Sequence, residues 1–203
     1  MIRKPNNWNE VKEFTEFVKL PVGAYACKVK QAVIQSNDYG EQLCILFDIE
    51  EGEFGGYFAN DYKNNQREDK KWKGVLRVWI PKDDGSEKDE ITKRVFKGMV
   101  TAFENSNYNY SFDWNENSLV GKMIGILFRN EEWDYNGKQG WTARPFKAIS
   151  LDSVRSGDYR LPSPKPLKNK TSADGYMGFA DYSATAATDN YGEITGDDDK
   201  LPF

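Results

Sequence analysis

Basic and aromatic side chains are interleaved along one stretch of this chain, between Tyr57 and Trp79. Cationic side chains attract the phosphates of nucleic acid, and flat rings stack on unpaired bases at about 1–3 kcal/mol per stack. The stretch therefore predicts a surface that binds single-stranded nucleic acid. Its candidate residues are Tyr62, Lys63, Arg67, Lys70, Lys71, Trp72, Lys73, Arg77 and Trp79.

A second stretch near the end of the folded region has the same composition. Its candidate residues are Trp133, Tyr135, Lys138, Trp141, Arg144 and Lys147. Asn136-Gly137 lies among them, and Asn-Gly favours the type I′ turn of a β-hairpin. The sequence thus predicts a hairpin that carries a second set of binding residues. Core packing is the alternative for every aromatic, and the alternation in Val75–Ile80 leaves the side of Trp79 open.

The elements that must position these residues are mainly strands. Apolar and β-forming residues predict strands at 23–36, 42–50, 75–80, 119–129 and 141–151. Apolar residues at helical spacing predict a helix from Asp89 to about Asn105, between the third and fourth strands. This order predicts an OB-fold-like five-stranded barrel, a fold that often binds oligonucleotides. A further helix of about three turns is predicted from Asn7, before the first strand.

Composition divides the 203 residues into three parts. Residues 1–160 form the predicted OB-fold-like nucleic-acid-binding domain. Residues 161–196 are rich in Pro, Ser, Thr, Ala, Gly, Asn and Asp, which predicts a disordered linker. Residues 161–203 hold four lysines and seven acids, a net charge of −3 out of the total −4. The domain is therefore nearly neutral, and any affinity for nucleic acid must come from a local patch.

The last seven residues, 197–203, have the composition of a peptide ligand. Three carboxylates precede an apolar end whose final ring and α-carboxylate fit an apolar pocket with a basic rim. We predict that this acidic tip binds partner proteins, and the alternative is a solvated acidic terminus. The residues assigned to partner binding are Asp197, Asp198, Asp199, Leu201, Pro202 and Phe203.

This ending resembles the acidic tip of bacterial single-stranded DNA-binding proteins, although Lys200 interrupts the usual step from aspartates to the apolar end. The barrel looks like a divergent relative of that family, of the type carried by phages or mobile elements of Gram-positive bacteria. The runs GAYACKVKQA, FDIEEGEFGGYF and KKWKG carry this similarity. The resemblance implies sequence-independent coating of single-stranded DNA in DNA replication, recombination and repair. It also implies that the tip recruits replication and repair enzymes.

Two other functions compete with this interpretation. A metal-dependent nuclease would need carboxylates, and Glu68-x-Lys70 is part of a common nuclease pattern, but no Pro-Asp pair completes it. A replication adaptor, whose barrel binds protein and not DNA, would suit the nearly neutral domain. We favour a binding protein without enzymatic activity, metal or cofactor. The carboxylates considered for the nuclease are Asp83, Asp84, Glu131, Glu132 and Asp134.

Two cysteines, Cys27 and Cys44, lie in apolar runs, and the chain has no histidine. Such thiols are expected to be buried in a reduced compartment, and two cysteines supply too few ligands for a zinc site. Neither an apolar run of 18 residues nor a signal-like segment occurs, so a cytoplasmic protein is expected. The sequence leaves open a homo-oligomer, the size of the binding site and the choice between DNA and RNA.

Overall fold

The computed structural model describes residues 18–167, together with residues 3, 4, 6, 8 and 9. The predicted N-terminal helix and the acidic tip therefore lie outside the described residues, apart from a few positions of the helix. None of the helices in the described part has the length and apolarity needed to cross a membrane. The elements are β1 (Ala24–Asn37), β2 (Gly40–Ile49), α1 (Tyr57–Asn64), β3 (Val75–Trp79), α2 (Glu87–Ser106), a short 3-10 helix (Glu116–Leu119), β4 (Met123–Tyr135), β5 (Lys138–Ile149) and α3 (Leu151–Ser156).

The five strands form one antiparallel sheet in the order β3-β2-β1-β4-β5. This is the order of an OB-fold barrel opened between β3 and β5. Those two edge strands approach each other to within 8 Å between Cα atoms, but they are not hydrogen-bonded neighbours in the sheet. α2 connects β3 to β4 and packs against β3, β4 and β5. The predicted mainly β, OB-fold-like architecture with a helix between strands 3 and 4 is confirmed.

The core lies on one face of the curled sheet. Phe47, Phe103 and Phe128 are fully buried there, and Phe96 is nearly so. In β3 the core face belongs to Leu76 and Val78, and Arg77 between them is exposed. This settles the open question about Trp79, which lies on the outer face and is half-buried.

Helix α1 is an element that the sequence did not reveal. It begins after Gly56, whose φ is 72° and which has no side chain to cap the helix. The buried carboxylate of Asp48, at the end of β2, caps it instead by accepting hydrogen bonds from the backbone N–H groups of Phe58 (3.0 Å) and Ala59 (3.2 Å). A helix N-terminus needs such acceptors for its first N–H groups. α1 therefore depends on a residue ten positions earlier in the chain.

Several boundaries differ from those expected. The predicted strand 119–129 begins only at Met123, because Leu119 belongs to the 3-10 helix and Gly121 adopts a positive φ of 79°. The same strand runs on to Tyr135 because the hairpin extends beyond the barrel. Gly125 allows α3 to pack closely, since a Cβ atom there would lie 2.5 Å from Cγ2 of Val154.

The start of the predicted linker is attached to the domain. Lys165 pairs in parallel with β4: its N–H donates to the carbonyl of Asn130 (2.8 Å), and its carbonyl accepts from the N–H of Glu132 (2.9 Å). β4 has no β1 partner beyond Leu127, so its free edge has unpaired N–H and C=O groups that this segment satisfies. The described part of the chain thus continues past residue 160 to Leu167, and residues 168–196 of the predicted linker lie outside the described residues.

Candidate nucleic-acid interface

A groove with a volume of about 880 Å³ opens between the two segments that the sequence singled out. One wall comes from α1, the loop after it and β3, and the opposite wall comes from the β4-β5 hairpin. Residues 19–22 lie along it as well. The groove thus occupies the region where the barrel is open between β3 and β5. It brings together seven of the predicted binding residues: Lys71, Trp72, Lys73, Arg77, Trp133, Trp141 and Arg144.

The groove is positively charged although the domain as a whole is nearly neutral. Its lining contains five cationic residues, Lys19, Lys71, Lys73, Arg77 and Arg144, against two carboxylates, Asp61 and Glu131. Binding of nucleic acid by a nearly neutral domain needs a local positive patch, and the lining of this groove supplies one.

Two tryptophans of the hairpin line the groove, Trp133 on one face of the hairpin and Trp141 on the other. Trp133 lies across from Gly140, and a Cβ atom on Gly140 would be only 2.8 Å from the Trp133 ring. The missing side chain therefore lets this ring lie against the backbone of β5. Trp141 remains 43% exposed, so a base could stack on it. The predicted turn at Asn136-Gly137, with φ values of 51° and 72°, connects the two strands that carry these rings.

Trp72 is held more firmly than a freely exposed stacking residue. Its indole Nε1 donates hydrogen bonds to the carbonyls of Phe47 (3.0 Å) and Gly74 (3.2 Å). The ring packs against both buried clusters of apolar side chains and also lines the groove. Trp72 therefore joins the wall to the core, and only part of its ring is available to a ligand.

A chain of three charged residues crosses the hairpin. Arg129 lies directly opposite Arg144, and Glu131 is two residues further along β4. The Glu131 carboxylate accepts a hydrogen bond from Nη2 of Arg129 (2.9 Å), and its Oε2 lies 3.9 Å from Nε of Arg144. Two like charges opposite each other destabilise a sheet, so the carboxylate between them stabilises the pair. Arg129 is buried and stacks on Phe146 (4.3 Å), whereas Arg144 is 59% exposed.

The remaining predicted residues flank the groove without lining it. Tyr62 packs on Trp72 (5.9 Å between ring centroids), and Nζ of Lys70 lies 4.6 Å above the Tyr62 ring. Lys63 and Arg67 are exposed at the end of α1 and just after it, and Tyr135 and Lys138 are exposed at the hairpin turn. Lys147 is exposed further along β5. The Trp79 ring lies over Gly40 at the β1-β2 turn, 3.7 Å from the position that a Cβ atom on Gly40 would take.

Residues 20–22 complete the groove, and they were not among the predicted residues. The Tyr57 hydroxyl accepts a hydrogen bond from the N–H of Leu20 (3.3 Å), and the Tyr25 hydroxyl donates to the carbonyl of Pro21 (2.8 Å). Burial raises the pKa of both phenols, that of Tyr25 to about 12. Tyr25, an aromatic residue close to Pro21, is the sequence signal that could have indicated this segment.

The carboxylates considered for a nuclease do not converge. Asp83 pairs with Lys93 (2.7 Å) before α2, and Asp84 accepts a hydrogen bond from the N–H of Ser86 (2.9 Å). Glu131 belongs to the arginine chain, and Glu132 accepts from the N–H of Leu167 (3.2 Å). Among the described residues, no group of three histidine, cysteine or acidic side chains is arranged to hold a metal ion.

No protein-family model matches this sequence, and neither does any curated protein. A functional assignment therefore depends on the groove and the chemistry of its residues.

Proposed function

We propose that this protein binds single-stranded DNA independently of sequence, through the groove between α1-β3 and the β4-β5 hairpin. The observation that carries the proposal is the convergence of Trp72, Trp133 and Trp141 with the cations Lys71, Lys73, Arg77 and Arg144. The two sets come from segments about 60 residues apart, and each alone has the composition of a strand-binding surface. DNA replication, recombination and repair are the processes in which such binding is used, and the protein acts there by binding and not by catalysis.

Unpaired bases suit this groove better than a duplex. Stacking on Trp141 or Trp133 requires a base whose face is free, and the bases of a duplex are stacked on each other. A competing proposal, an adaptor that binds protein, is favoured by the two carboxylates in the groove, because they lower its positive charge. The two proposals can be separated by experiment, because only a DNA-binding protein should bind oligonucleotides with an affinity that falls as salt rises.

The test is a titration of the full-length protein with oligo-dT, with a duplex of equal length and with an RNA oligomer. Quenching of tryptophan fluorescence reports binding in each titration. We expect quenching and tight binding with oligo-dT and much weaker binding with the duplex. Affinity should fall as salt rises, because binding releases counterions from the strand. Equal binding of duplex and single strand, or no binding of either, would contradict the proposal.

The basic residues around Trp72 should account for a defined part of that salt dependence. Reversing the charges of Lys70, Lys71 and Lys73 to glutamate should weaken oligo-dT binding. It should also lower the slope of log K against log salt by about two, since each phosphate contact contributes roughly 0.7 for single strands. Reversal of Lys88, Arg94 and Lys97 on α2 is the matched control with the same change in net charge. An unchanged slope in the first variant would remove these lysines from the interface.

The acidic tip lies outside the described residues, and its role is a separate proposal: it recruits replication and repair enzymes. Lys165 and Leu167 fix the start of the tail beside β4, next to the hairpin. Deleting residues 197–203 should leave oligo-dT binding intact or slightly tighter at low salt and abolish capture of such enzymes in a pull-down. Loss of DNA affinity, or retention of the enzymes, would show that the tip is not the recruitment element.

A further inference from the structure

Glu131 is an unexpected residue in a groove that binds phosphates. A carboxylate repels the sugar-phosphate backbone, so a purely electrostatic surface would not contain one. Glu131 nevertheless lines the groove, on the same face of the hairpin as Trp133. Its side chain is 25% exposed, so it is accessible from the groove but partly shielded from bulk water.

The position of this carboxylate is fixed from two sides. Oε1 accepts a hydrogen bond from Nη2 of Arg129 (2.9 Å), and the Arg129 guanidinium is itself stacked on Phe146. The backbone on either side of Glu131 is hydrogen-bonded to Lys165, through the carbonyl of Asn130 and the N–H of Glu132. Oε2 lies 3.9 Å from Nε of Arg144, which is beyond hydrogen-bonding distance. The second carboxylate oxygen therefore keeps the capacity to accept hydrogen bonds from a ligand.

The distribution of charge indicates which part of a strand meets this oxygen. The carboxylates in the groove, Glu131 and Asp61, are partly shielded, with 25% and 13% of their side chains exposed. Lys63, Arg67 and Lys138 are exposed outside the groove. Phosphates are attracted to these cations and to Lys71, Lys73 and Arg77 on the wall opposite the hairpin, and they are repelled by Glu131. A bound strand should therefore direct its bases toward the hairpin wall, where Trp133 and Glu131 lie.

Bases differ in what they offer to a carboxylate. Cytosine carries an amino group at position 4, a donor, where thymine carries a carbonyl oxygen, an acceptor. An ionised carboxylate accepts hydrogen bonds and cannot donate them. The neighbouring Arg144 is a donor and can pair with the acceptor atoms that lie beside the amino group of cytosine. The carboxylate and guanidinium together thus complement cytosine and oppose the position-4 oxygen of thymine.

We propose that Glu131, with Arg144 beside it, is a specificity-determining residue that gives one position of the bound strand a preference for cytosine over thymine. This inference rests on the proposed binding of single-stranded DNA. It adds direct recognition of a base edge to a groove whose other contacts, ring stacking and charge, do not depend on sequence. A single charge-assisted hydrogen bond predicts that oligo-dC binds about three- to tenfold more tightly than oligo-dT.

The experiment measures the ratio of the dissociation constants for oligo-dT and oligo-dC of equal length at neutral pH, in the full-length protein and in Glu131→Gln. The glutamine side chain can donate as well as accept, so the preference for cytosine should fall to about one or reverse. The ratio is informative even if removal of a negative charge strengthens binding to both oligomers. Glu51→Gln is the matched control, because it removes one carboxylate paired with an arginine, Arg155 (2.7 Å), outside the groove lining.

A second measurement requires no change in the protein. An oligomer whose cytosines are replaced by 2-pyrimidinone, which lacks the amino group, should bind the wild type more weakly than oligo-dC does. A wild-type ratio of one, or an unchanged ratio in Glu131→Gln, would overturn this inference and leave the proposed function standing. Absence of binding to every oligomer would overturn both.

Discussion

Replacing Trp133 and Trp141 together with alanine is expected to weaken the binding of oligo-dT by at least about thirtyfold. Each base stacked on an aromatic ring contributes about 1–3 kcal/mol, and 1.4 kcal/mol corresponds to a factor of ten. Both residues line the groove, on opposite faces of the hairpin, so the variant removes both of the tryptophans that the hairpin contributes to it. Fluorescence anisotropy of a labelled oligomer is the appropriate measurement, because the variant lacks two of the intrinsic tryptophan signals.

Trp114→Ala is the control for this variant. The Trp114 ring is 79% exposed and stacks on Phe96, on a surface that does not contribute to the groove lining. It should leave the affinity for oligo-dT unchanged. Replacing Trp133 and Trp141 with phenylalanine should recover part of the loss, since phenylalanine keeps a ring face. Equal losses in the Trp114 and double alanine variants would place the stacking surface elsewhere.

The sequence predicted both walls of the groove because composition is a local property. Basic and aromatic residues cluster within each segment, and the Asn-Gly pair indicates the hairpin that carries Trp133 and Trp141. The strand order also followed from local patterns, since the alternation of apolar residues marks β2 and β3 and helical spacing marks α2. Only the structure shows that seven of these residues face one groove.

What the sequence could not show depends on contacts between distant residues. Helix α1 is capped by Asp48 across an intervening turn, and the residue just before the helix, Gly56, offers no side chain to mark its start. The anchoring of Trp72 comes from the carbonyl of Phe47, 25 residues earlier. Arg129 and Glu131 are opposite charges two residues apart, which is a common pattern on exposed strands. Their positions are fixed by the partner strand and by the backbone of Lys165, and only the structure shows these contacts.

The dependence of the first groove wall on Asp48 leads to the second prediction with a large effect. Asp48 is buried, and its two carboxylate oxygens accept hydrogen bonds from the backbone of Phe58 and Ala59 at the start of α1. Asp48→Ala would leave the N–H group of the buried Phe58 without its acceptor, at a cost of about 1–3 kcal/mol, and would also remove the acceptor of the N–H group of the exposed Ala59. A typical domain has only about 5–15 kcal/mol of stability, so the loss should be evident in urea unfolding followed by circular dichroism.

The same variant should affect binding before it unfolds the domain, because α1 carries Tyr57 and Asp61 into the groove and leads to the loop with Lys71 and Trp72. We therefore expect weaker binding of oligo-dT by Asp48→Ala even at urea concentrations where the sheet remains folded. Asp48→Asn keeps one acceptor oxygen and should lie between the wild type and Asp48→Ala in both measurements. Asp38→Ala, in the exposed β1-β2 turn, removes the same charge and should change stability by less than about 0.5 kcal/mol. If Asp48→Ala unfolds at the same urea concentration as Asp38→Ala, the carboxylate does not hold α1, and the first wall of the groove must be positioned by the packing of Phe58 against Phe47 and Phe128 alone.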